Sequence, residues 1–143
     1  MNLQITSTTK SVDTTNRPYA IRFSEPLSLI EIQWEKAVGS EELHESLAHL
    51  LQEIDEKEPR FLIADTRLLS SLGADDQNWI RNSFLPALNT STVTKFGRVT
   101  EPDVFTQAVL DSILDYVQFE RFFGCSMRSF PDRESALEWI YAF

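Results

Sequence analysis

The chain is short of the residues that make several kinds of chemistry possible. It holds one cysteine, Cys125, which excludes an internal disulfide and any paired-cysteine metal or redox motif, and fits a reducing compartment. Its four glycines, Gly39, Gly73, Gly97 and Gly124, lie too far apart to build a phosphate-cradling loop. No apolar run approaches the ~20 residues that cross a bilayer, so no direct membrane insertion is expected. The opening MNLQITSTTKSVDTTNRP lacks the basic flank and apolar stretch of a signal peptide, and a cytoplasmic location is the expectation. Basic charge is also scarce: 13 Lys and Arg stand against 22 Asp and Glu, a net charge of -9. No window gathers cations as a phosphate-tracking surface must, which argues against nucleic acid.

What is present suits one soluble domain. A chain of 143 residues buries roughly 70% of its unfolded surface, and the 10 phenylalanines and 3 tryptophans supply much of a core. Residues 1 to 17, rich in Thr and Ser, are read as a loose arm or a short edge strand, and residues 18 to 143 as a single α/β domain. Two strand-like runs, 19 to 24 and 27 to 34, flank a turn at Ser24, Glu25 and Pro26. Ser40 is the expected cap of an amphipathic helix whose stripe is Leu43, Leu47, Leu50, Leu51 and Ile54. RFLIAD follows as a strand covered on both faces. A helix over 75 to 89 presents Trp79, Ile80, Phe84 and Leu88, with Pro86 expected to bend its last turn. VTKFGRV is the next strand, TEPD the start of a helix running to Gly124, MRSF the last strand, and Asp132 the cap of a closing helix. The order β-β-α-β-α-β-α-β-α predicts a mixed, mostly parallel sheet of four to five strands with four helices.

Candidate chemistry is thin. His44 and His49 stand five apart, and five residues turn ~500°, so the rings diverge by about 140° and cannot share a metal on one helix. His49 is expected to point to solvent, within reach of Glu45. Cys125 among aromatics reads as a neutral buried thiol. No metal set, cofactor motif or catalytic signature remains. Two clusters do. The first is the crevice at the carboxyl ends of strands 60 to 65 and 93 to 99, where Asp65, Thr66, Arg67, Asp75, Arg98 and Glu101 are expected to converge. The second is YVQFERFF, in which Phe119, Phe122 and Phe123 exceed what one helical stripe buries, leaving a ring for an apolar pocket or a homodimer contact.

The element order, with Asp65 closing a buried strand, a loop of about nine residues, a following helix and the terminal SFPDRESALEWI, resembles the STAS domain of anti-sigma-factor antagonists and sulfate-transporter cytoplasmic domains, including STAS/Sec14-like proteins. The resemblance covers about residues 18 to 143. It implies a regulatory, non-enzymatic module with a protein partner, whose contact surface is the loop and helix from Arg67 to Trp79. In the antagonists a serine at this helix start is phosphorylated. Here that turn falls on Gly73, Ala74, Asp75 and Asp76, so the serine is missing and an aspartate supplies permanent negative charge instead. Ser70 and Ser71 lie earlier in the loop, where Arg67 or the helix dipole would hold a phosphate. Leu68, Leu69, Leu72 and Trp79 are the expected apolar anchors. The Sec14-like side of the resemblance implies an alternative, a carrier for a small apolar or lipid ligand.

Overall fold

A computed structural model describes residues 9–11, 17–69, 73–101 and 124–142. Its six-stranded sheet follows chain order: β1 (Thr9–Ser11), β2 (Tyr19–Ser24), β3 (Leu29–Trp34), β4 (Phe61–Asp65), β5 (Lys95–Val99) and β6 (Ser126–Phe130). β1, β2 and β3 pair antiparallel, and β3 through β6 pair parallel. The mixed, mostly parallel α/β architecture is the one expected. Helix α1 (Ser40–Lys57) joins β3 to β4. Between β4 and β5 come α2 (Ala74–Trp79), a π-helical turn (Ile80–Phe84) and α3 (Leu85–Asn89), and α4 (Arg133–Ile140) follows β6. The helix expected over 100 to 123 lies outside the described residues from Pro102 onward.

Strand alternation sorts the sheet into two faces. Ile21, Ile30, Ile32, Trp34, Leu62, Ala64 and Phe96 point to one side, where Leu43, Leu47, Leu50 and Ile54 of α1 meet Phe84, Leu85 and Leu88. Trp34 is buried there with its indole N–H satisfied by Ser46 Oγ at 3.1 Å. The other face carries Leu29, Ile63 and Val99 beneath Ala136, Leu137 and Ile140 of α4. Gly97 lets α4 approach: a Cβ at this position would lie 3.2 Å from Ala136 Cβ.

Two local expectations change, for Ser40 and His49, and two further details emerge at Pro86 and Glu31. Ser40 is the first residue of α1 and not its cap: Gly39 takes that position, its N–H donating to Glu42 Oε1 at 3.3 Å, and the Ser40 hydroxyl is used elsewhere. Near Pro86 the helix changes its hydrogen-bond pattern. The Leu85 N–H reaches five residues back to the Ile80 carbonyl, and this wider turn absorbs the proline's missing donor. Glu31, a charged residue within the strand-like run 27 to 34, is buried at 6% exposure and bonded by Arg133, Nε to Oε1 at 2.6 Å and Nη2 to Oε2 at 2.9 Å. His49 is turned inward: its Nδ1 lies 2.7 Å from Tyr19 Oη, and its Nε2 3.7 Å from Glu53 rather than towards Glu45.

The end of α4 is fixed to the sheet's amino edge. Lys95 Nζ donates to the carbonyls of Trp139 at 3.1 Å and Ile140 at 3.0 Å, a cation placed where the helix dipole favours one. Tyr141 donates its hydroxyl to the Leu27 carbonyl at 2.7 Å and sets its ring edge on Phe61. Burial pushes the Tyr141 phenol up to about 12, with the charge of Glu31 adding and that of Arg133 opposing. A folded-state value above the unfolded 10.0 means that this contribution is complete below pH 10 and is lost as pH rises through 12. Tyr141→Phe should therefore flatten the alkaline loss of stability seen by urea denaturation across that window. It should cost about 1 kcal/mol at neutral pH for the lost hydrogen bond. Tyr19, also raised by burial, leaves a residual slope.

Candidate functional site

The site begins where β4 ends. Thr66 leaves the strand with both its N–H, at 2.8 Å, and its hydroxyl, at 2.9 Å, donating to the Val99 carbonyl, which ties the loop's first residue to the end of β5. The chain then turns so that Arg67 folds back on Asp65: Nε to Oδ1 at 3.0 Å, Nη2 to Oδ2 at 2.7 Å, and the backbone N–H to Oδ1 at 3.2 Å. The hydrogen bond from Arg67 to Asp65 raises the guanidinium further above its ordinary value against desolvation, and the charges of Asp65, Glu101 and Asp132 add to it. Asp132 is lowered by the Ser135 N–H that it caps at 2.7 Å, and Arg67 contributes. Carboxylates from the ends of three neighbouring strands thus surround one arginine. With the Arg67 side chain 39% exposed, this pair organises a surface and adds little to stability.

The residues expected at the carboxyl ends of β4 and β5 are brought together in part. Asp65, Thr66, Arg67 and Glu101 come together, and Asp132 joins them. Arg98 points to the opposite face, because Asp65 and Val99 share one side of the sheet and the residue before Val99 must take the other. There it is buried and donates to Ser129 Oγ of β6. Asp75 stands exposed on α2. Ser70, Ser71 and Leu72 of the loop, and the aromatic set Phe119, Phe122 and Phe123, lie outside the described residues.

Leu68 is the exposed large hydrophobic residue among those described, at 52%, while the next residue, Leu69, packs into the core. On the far side of the loop the acidic pair divides. Asp75 faces solvent, and Asp76 is turned inward, accepting from Ser40 Oγ at 3.0 Å through Oδ2 and lying 3.0 Å from His44 Nε2 through Oδ1. His44 stacks on Trp79 with ring centroids 4.4 Å apart and planes at 11°. This brace between α1 and α2 went unread in the sequence, where Ser40 is the expected cap and His44 only half of a histidine pair too widely spaced for a metal; their i,i+4 spacing is the available signal. It also means that of the two aspartates expected to meet a partner, only Asp75 presents its carboxylate outward.

Serine, histidine and aspartate in one place invite comparison with a nucleophilic triad, but the order is wrong. The carboxylate sits between the other two: the Ser40 hydroxyl donates to Asp76 and not to the imidazole, which itself meets the other carboxylate oxygen. Cys125 offers no substitute: burial pushes its thiol up to about 12, which keeps it protonated. Among the described residues no group of His, Cys, Asp and Glu is placed to hold a metal ion, and no helix is long and apolar enough to cross a membrane.

No family model and no curated protein matches the chain. A solved structure does: an anti-sigma factor antagonist from Mycobacterium paratuberculosis superposes with a TM-score of 0.56, at 13% sequence identity, over 96% of this chain and 98% of that one. An identity this low speaks for the fold, and the fold agrees with the sheet order, the faces and the strand-loop-helix segment set out above. The chain has the STAS-type fold of the anti-sigma factor antagonists.

Proposed function

We propose that this chain is a non-catalytic regulatory domain that works by binding a protein partner through the segment from Arg67 to Trp79. The observation that carries the reading is Leu68: a leucine 52% exposed, beside the charged Arg67–Asp65 pair and on the loop leading to Asp75. A leucine held at the surface beside a charged pair supports the reading as an apolar anchor with a polar rim. The structural neighbour is named as an anti-sigma factor antagonist, a protein that acts on another protein. On this reading Asp75 supplies a fixed negative charge at the helix start, and the domain has no serine switch at that point. The partner's matching face is basic with an apolar pocket.

The test is quantitative recovery of partner proteins on immobilised wild type, Leu68→Asp and Asp75→Lys, with Glu56→Lys on the exposed side of α1 as control. Leu68→Asp should cut recovery about tenfold or more, and Asp75→Lys should weaken it, with circular dichroism unchanged. Equal recovery on wild type and Leu68→Asp would overturn the assignment.

A further inference from the structure

At the opposite end of the sheet from the Leu68 loop, the β2–β3 turn, the first residues of β4 and β5 and the end of α4 enclose a groove of about 580 Å3. That volume falls within the range of small-molecule sites. Its walls are apolar and aromatic: Leu27, Phe61, Ile140 and Tyr141. The charged side chains lining it are Arg60 and Lys95, and no carboxylate lines it among the described residues. In a chain of net charge -9 this is a local reversal of sign. Arg60 is exposed, lies over the Phe61 ring at 5.5 Å, and has no carboxylate partner among the described residues. Lys95 spends two of its three N–H donors on the last carbonyls of α4 and keeps one.

We propose that this groove is a binding site for a small carboxylate with an apolar tail. The head group meets the Arg60 guanidinium and the remaining Lys95 N–H, and the tail lies against Phe61, Tyr141 and Leu27. Arginine presents a planar fork that matches a carboxylate. The site is independent of the protein-binding loop, since the two occupy opposite ends of the strands.

The test titrates 15N-labelled protein with octanoate, with 1-octanol as the uncharged control, and follows amide shifts together with Trp139 emission, since Lys95 Nζ lies 5.2 Å from that ring. Octanoate should give saturable shifts centred on Ser28, Phe61, Lys95 and Ala142. Arg60→Ala should weaken it about tenfold, the value of one charge-assisted contact. Arg60 is exposed, so this variant should fold as wild type does; Lys95→Met, which also uncaps α4, serves as the second variant and should weaken binding further. Absence of localised shifts with octanoate, an equal response to 1-octanol, or undiminished binding in Arg60→Glu would each overturn the proposal.

Discussion

Arg133→Met should lower the stability of the fold by about 3 kcal/mol, more than Glu31→Gln at the same ion pair. The two ends of the pair are differently placed: the Glu31 side chain is 8% exposed and the Arg133 side chain 38%. Removing the arginine leaves a carboxylate in the sheet face with its main donor gone, and breaking a buried pair in this way typically costs about 3–5 kcal/mol. The lower end applies because water reaches the site through the exposed side of Arg133. Removing the acid leaves a guanidinium that water can already solvate, so about 1–2 kcal/mol is expected for Glu31→Gln. The double variant Glu31→Leu, Arg133→Met should regain most of the loss, since an apolar pair of similar volume avoids the desolvation cost. Urea denaturation of the four proteins checks the order, with unchanged m-values required for the comparison. Equal losses for the two single variants would mean that the pair is hydrated at both ends.

Gly97→Val is the second change with a large expected effect. A Cβ at Gly97 already stands 3.2 Å from Ala136 Cβ, with Ile140 Cδ1 and Phe130 Cε2 each at 3.7 Å. The Ala136 methyl has no rotamer to escape into, so the branched valine must push α4 away from β5. Overpacking of this kind costs about 1–3 kcal/mol, and the upper end is expected because α4 carries Ala136, Leu137 and Ile140, the apolar cover of that sheet face. Gly97→Ala should be far milder, because the tight contact is partly offset by the strand stability regained on leaving glycine, about 0.5–1 kcal/mol. Ala136→Gly introduced beside Gly97→Val should restore part of the loss. Thermal melts resolve these differences, since each kcal/mol moves the midpoint of a chain this size by about 2–4 °C. A melt of Gly97→Val matching wild type would show that α4 sits further from the sheet than this packing requires.

The elements these two predictions depend on were legible to different degrees. Strand β4 and helix α1 could be read because local pattern and tertiary role agree: an unbroken apolar run is buried on both faces, and Leu43, Leu47, Leu50 and Ile54 repeat at the helical period. The Asp132 cap and the inward Ala136, Leu137 and Ile140 were legible for the same reason. The partnership of Glu31 with Arg133 was not, because the residues are 102 apart in the chain and nothing local to Glu31 marks it as buried. Arg98 was misplaced by a single step of strand register, which is enough to send a side chain through the sheet. The inward turn of Asp76 depends on where α1 docks against α2, and a doublet of aspartates at a helix start gives no sign of which one faces the neighbour. In the loop itself, charge at the end of β4 was readable, and so was the gathering of Asp65, Arg67 and Glu101. Only the packing separates the exposed Leu68 from the half-buried Leu69 beside it.

That distinction carries the functional account, and photo-crosslinking tests it most directly. A photoreactive amino acid placed at position 68, in the source cell, should yield a discrete protein adduct that Asp75→Lys abolishes, while the same group at position 56 on the outer side of α1 should yield none. Absence of an adduct at 68, or the same adduct from both positions, would contradict the assignment of this loop as the recognition surface.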